Sequence, residues 1–105
     1  MTVRWNATAI ASREAFLDAA LDRALLTPDP QIFAAAVTDD AAIHGAAADM
    51  SGPATYALGP VPGTRIKPAA RGRYVLIYRR KGRDALVLDV VHARSNWRSA
   101  TNVTT

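Results

Sequence analysis

At 105 residues with 50% hydrophobic composition, the chain supplies material for one buried core and is expected to form a single domain over 1–105. Zero cysteines exclude a disulfide framework or a thiolate metal site, and two histidines, His44 and His92, leave a histidine metal site short of ligands. The formal charge of +4 is uneven: residues 1–63 carry Arg4, Arg13 and Arg23 against seven acids, whereas residues 64–105 carry ten bases against two, so the C-terminal part is expected to meet an acidic partner.

Thr2–Asn6 alternates Val3 and Trp5 with polar neighbours, as a short first strand does. From about Ala9 to Leu26, Ile10, Leu17, Leu21 and Leu25 recur at three- and four-residue steps with Ala20 and Ala24. This predicts an amphipathic helix with those leucines inward and Thr8 or Ser12 as its cap. Thr27-Pro28-Asp29-Pro30 stops that helix and restarts another, because proline disfavours helix in the residue before it, Asp29 can cap and Pro30 suits the first helical position. The second helix runs from Pro30 through Ile32, Phe33, Ala36, Val37, Ile43 and Ala47 to about Met50, with a break expected at Thr38-Asp39-Asp40. Gly52–Gly63 reads as a connecting loop anchored by Tyr56 and Leu58, and Thr64–Pro68 as a short strand. Val75–Tyr78 and Ala85–Val91 are rich in β-branched and aromatic types around Lys81-Gly82-Arg83, which predicts a β-hairpin. The order β-α-α-β-β-β defines an α+β class: a helical hairpin packed on one face of a small, mostly antiparallel β-sheet.

The hairpin and its flanks concentrate Arg71, Arg73, Arg79, Arg80, Lys81, Arg83, Arg94 and Arg98 against Asp84 and Asp89, and these cations are expected on a common surface. Plainer roles stand beside functional ones. His92 extends the alternation of Leu86, Leu88 and Val90 and so can be a strand-end residue satisfied by backbone. Arg73 can be a solvated strand residue that discourages sheet-to-sheet pairing. Arg79, Arg80, Lys81 and Arg83 can be a wet hairpin tip, and Trp97 a lid on the sheet. Trp5, Leu17, Leu21, Leu25, Tyr74, Leu76 and Tyr78 read as core, and His44 receives no role.

Val-Arg-Trp-Asn-Ala-Thr-Ala-Ile-Ala at 3–11, Pro-Gly-Thr-Arg-Ile at 62–66, Gly-Arg-Tyr-Val-Leu-Ile-Tyr-Arg at 72–79 and Val-Leu-Asp-Val-Val-His-Ala-Arg-Ser-Asn-Trp at 87–97 together resemble the RelE/ParE superfamily of toxins from type II toxin-antitoxin modules. The stretch 28–61 carries no matching pattern. The resemblance implies one of two activities. A RelE-like chain is a ribosome-dependent mRNA endoribonuclease, in which His92 would act as base or acid, Arg73 and Arg94 would be catalytic, and Arg65 and Lys67 would add cations for the phosphorane-like transition state. A ParE-like chain is a non-enzymatic poison of DNA gyrase, of the kind associated with plasmid stabilization. No tyrosine follows Tyr78 and residues 99–105 bring no titratable side chain, which weighs against the nuclease. The ending Val-His-Ala-Arg-Ser-Asn-Trp resembles the ParE-type pattern, so the expected function is growth inhibition through DNA gyrase. A non-toxic nucleic-acid-binding module, with strongly salt-dependent affinity, is the remaining alternative.

On this resemblance, Arg65, Lys67, Arg73, Arg79, Arg80, Arg94, Trp97 and Arg98 are the residues expected to contact the target or a small, partly disordered, acidic antitoxin. The other partners would be DNA gyrase or, for the nuclease, the ribosome and mRNA. No cofactor is expected. Nor is a membrane, because no apolar run approaches the roughly 20 residues of a spanning helix and Met-Thr-Val-Arg-Trp lacks a signal peptide's apolar stretch, so the expected location is cytoplasmic.

Overall fold

The computed structural model describes residues 2–50 and 59–97. Its elements are β1 (Val3–Trp5), α1 (Ala7–Leu26), α2 (Pro30–Ala48), β2 (Arg65–Ala69), β3 (Tyr74–Lys81) and β4 (Asp84–His92), in the expected order. Together they form an α+β fold, with two helices packed on a four-stranded sheet of order β1-β4-β3-β2. β3 pairs antiparallel with β2 and β4, while β1 pairs parallel with β4. A parallel pair needs a long crossover, and the helical hairpin follows β1 directly.

Helix starts follow side-chain oxygens. Asn6, extended at φ −77° and ψ 168°, accepts a hydrogen bond from the Ala9 N–H at 2.9 Å, so α1 begins at Ala7 and neither Thr8 nor Ser12 caps it. Ser12 instead donates its Oγ–H to Asp89 Oδ1 at 2.6 Å, tying α1 to β4. Asp29 accepts from the Gln31 N–H at 3.0 Å with Pro30 in the first turn, as expected. The break expected at Thr38-Asp39-Asp40 is absent, and α2 runs through it. These residue types are only weakly unfavourable in a helix, and tertiary pairing outweighs that preference: Arg13 holds Asp40 at 2.8 and 3.0 Å, and Asp39 holds Arg73.

The sheet is covered on both faces. Towards the helices, Leu76, Tyr78, Val87 and Val90 pack with Ala9, Ile43, Ala47 and Met50, and Trp5, Phe16 and Tyr74 close the margin. On the opposite face Ile66, Val75, Ile77 and Leu88 lie against Trp97, which is 6% exposed and donates Nε1–H to the Ala93 carbonyl at 3.3 Å. Trp97 therefore packs as a lid on the sheet.

Two expectations about faces are corrected. In α1 the burial falls on Ala9 and Ala20 with Phe16 partly covered, whereas Leu21 is 43% and Leu25 71% exposed. An Ala-rich helix has two apolar stripes, and the small residues win because they let α1 approach β4 and α2 closely. In β4, a bulge sets Ile77 opposite Asp89 and Tyr78 opposite Val87, leaving Leu88 between them. The alternation changes phase there, so Val90 and His92 face the helices while Leu86 and Leu88 face away. The loop anchors Tyr56 and Leu58 lie outside the described residues.

Candidate functional site

The cleft at the base of the β3–β4 hairpin begins with backbone geometry. Between β2 and β3, Ala70, Arg71 and Gly72 hold φ of 52°, 57° and 81°, three consecutive left-handed residues. Two turn hydrogen bonds maintain them: Gly72 N–H to the Ala69 carbonyl at 3.1 Å and Arg73 N–H to the Ala70 carbonyl at 3.2 Å. Glycine accepts this conformation freely, but alanine and arginine pay roughly 1–2 kcal/mol each. At the end of β4 the Ala93 N–H donates to the Arg73 carbonyl at 2.9 Å, and the His92 carbonyl accepts from Ser95 N–H at 3.0 Å and Ser95 Oγ–H at 2.6 Å. These bonds bend the chain so that Arg94 stands beside Arg71 and Arg73. Residues 71–74 and 92–94 thus line an open cleft of about 490 Å³.

Three of the sequence-predicted residues meet there: Arg73, His92 and Arg94. The His92 ring packs on Phe16 at 4.6 Å and Tyr74 at 4.8 Å between centroids, and those two lie 4.9 Å apart. Arg73 donates Nε–H to Asp39 Oδ2 at 3.2 Å and a second bond from Nη2 to Oδ1. That bond, and then the charge of Asp39, raises the Arg73 pKa. Tyr74 is pushed above the ordinary phenol value, first by burial and then by the Asp39 charge, with Arg23 and Arg73 opposing. Asp39, on α2 behind the cleft wall, holds Arg73 and is the residue that sequence reasoning misses. An acid in the middle of an Ala-rich helix is the available signal, and its local propensity points only to a helix break.

The other predicted cations lie elsewhere. Arg65 and Lys67 are half-buried on β2, opposite Tyr78 and Leu76. Arg79, Arg80, Lys81 and Arg83 sit towards the far end of the hairpin, with Arg79 roughly 17 Å and Lys81 roughly 23 Å along β3 from Tyr74 at 3.3 Å per residue. The cations therefore spread over the cleft, β2 and the hairpin tip instead of converging on one surface. Arg4, not singled out from the sequence, joins Lys81, Asp84, Ala85 and Leu86 around a second hollow of about 550 Å³ at the tip end. Arg98 lies outside the described residues. Among the described residues, no three His, Cys, Asp or Glu side chains group as metal ligands, and no helix is long and apolar enough to cross a membrane.

No family model matches the chain, and no curated protein matches it. Among solved structures it is similar to a chain of "Chromosomal ParDE TA system from P. aeruginosa", with 24% identity, a TM-score of 0.62, and coverage of 90% of this chain and 97% of that one. The likeness shows a shared fold along nearly the full length of both chains.

Proposed function

We propose that this chain is the toxin of a type II toxin-antitoxin pair and that its arginine cleft engages an acidic macromolecule. The observation carrying this reading is the near end-to-end match in fold to a chain of a ParDE toxin-antitoxin system, in a molecule whose C-terminal half holds ten of its bases. The partner is a cognate antitoxin with a small acidic segment, which gains order on docking between Arg71, Arg73 and Arg94. The target is DNA gyrase, and the chain works in the cytoplasm as a binding poison. Induced expression should arrest growth, halt replication before protein synthesis and inhibit supercoiling by purified gyrase. Arg73→Ala and Arg94→Ala should relieve the arrest while preserving the far-ultraviolet circular dichroism spectrum. Full growth arrest by both variants would remove the cleft from the mechanism.

One observation favours the nuclease as a second reading: His92 shares the cleft with Arg73 and Arg94, so an acid-base group stands beside cations that can stabilise a pentavalent phosphate. In that case translation stops first, mRNA is cut at the ribosomal A-site, and His92→Gln abolishes cutting without changing gyrase supercoiling.

A further inference from the structure

We propose that Asp39 is a built-in competitor for the cleft: in the free chain its carboxylate holds Arg73, and an acidic partner segment docking beside Arg71 and Arg94 takes Arg73 over. This rests on the reading that the cleft engages an acidic partner, and it concerns how that engagement is regulated.

The geometry has the parts of an exchange. Asp39 belongs to α2 and approaches from behind, its side chain 16% exposed, while the Arg73 side chain is 54% exposed on the cleft side. The contact uses Nε and one terminal nitrogen of Arg73. A guanidinium has five N–H donors, so the Nη1 side remains available to an incoming oxyanion before Asp39 lets go. Arg71 and Arg94 have no ion-pair partner among the described residues, and both are exposed. They provide the first foothold, and Arg73 the contested one. The negative charge of Asp39 also reaches Tyr74 in the cleft lining, so it opposes any anion that enters. The Ala93 N–H bond to the Arg73 carbonyl fixes the backbone, so exchange requires only rotation of the Arg73 side chain. A guanidinium fork matches carboxylate and phosphate alike, so the occupant follows from the proposed partner: the aspartate or glutamate side chains of an acidic segment, with phosphate as the competing outcome.

The test is calorimetric titration of the full chain with an oligoglutamate peptide, beside a single-stranded oligonucleotide of equal charge. Asp39→Asn should bind the peptide roughly two- to fivefold more tightly than the unchanged protein, the scale on which an exposed ion pair competes. In the unchanged protein, the Arg73 Nε–H resonance, identified by its loss in Arg73→Lys, should shift on saturation with the peptide. That resonance decides the matter even if Asp39→Asn folds poorly. Unchanged or weaker peptide binding by a folded Asp39→Asn, together with a stationary resonance, overturns the competitor while leaving the cleft intact if Arg71→Ala and Arg94→Ala still weaken binding. Peptide binding indifferent to Arg71→Ala and Arg94→Ala overturns the underlying reading itself. Preference for the oligonucleotide overturns the choice of a carboxylate segment.

Discussion

Replacing Trp97 by alanine separates a lid from a contact residue. Its ring closes the sheet face formed by Ile66, Val75, Ile77 and Leu88 and is 6% exposed. An indole of this kind buries about 200 Å², so at about 25 cal/mol per Å² the transfer contribution is about 5 kcal/mol, an upper value because the unfolded chain already covers part of it. Measured Trp→Ala losses in cores are about 3–5 kcal/mol, and an expected loss of about 3–4 kcal/mol agrees with both. For a chain of this size that lowers the thermal midpoint by at least about 12 °C. Urea denaturation followed by far-ultraviolet circular dichroism reads the loss directly. Trp97→Phe keeps the ring packing and removes the Nε1–H bond to Ala93, so it should lose only about 1 kcal/mol beyond any change in ring volume. A Trp97→Ala loss below about 1 kcal/mol with an unchanged denaturant slope would refute the lid, because no residue covering that much apolar surface is so dispensable. A lid also changes how the proposed toxicity would be read, since its loss in Trp97→Ala would then reflect unfolding before it reflected a missing contact.

Gly59→Ala should destabilise by about 1–3 kcal/mol in thermal melts, because a Cβ there would stand 2.1 Å from Oγ1 of the buried Thr64, which is itself fixed by a 2.6 Å bond to the Val61 carbonyl. Gly72→Ala meets no neighbouring atom within 4 Å, so its loss of about 1 kcal/mol should come from the φ of 81° alone. Arg13 grips Asp40 through two bonds and sits 4.5 Å over the Trp5 ring; Arg13→Ala should lose about 1–2 kcal/mol, and a double-mutant cycle with Asp40→Asn should recover a coupling at Asp40. Tyr74 should ionise above the ordinary phenol value of 10.0 in an ultraviolet titration, and Asp39→Asn should move it down. The sign follows from the raised pKa in the folded chain: the unfolded phenol releases its proton first, so this contribution to stability is complete below about pH 10 and is lost as pH rises through the folded value.

The hairpin was legible because its signals are local. Val75 to Tyr78 and Ala85 to Val91 favour extended backbone, and Gly82 takes the φ of 62° that a two-residue turn between Lys81 and Asp84 uses. The restart at Asp29-Pro30 was legible for the same reason. The inward stripe of α1 was not, because alanines and leucines both read as apolar while only packing distance decides which approaches the sheet. The face of His92 is not legible either, because a bulge moves every later residue of β4 to the other side, and no residue near Leu88 announces it.

From the residues alone follow the order of elements, the restart between the helices, the hairpin and the unequal sharing of charge. Backbone preferences and proline geometry act within a few positions, so they survive without any tertiary partner. Which cations meet was decided only by the folded chain: β3–β4 register brings Arg94 to Arg71 and Arg73, and helix packing brings Asp39 to Arg73 across 34 residues of sequence. Such contacts depend on the pairing of distant segments, and a local pattern carries no record of that pairing.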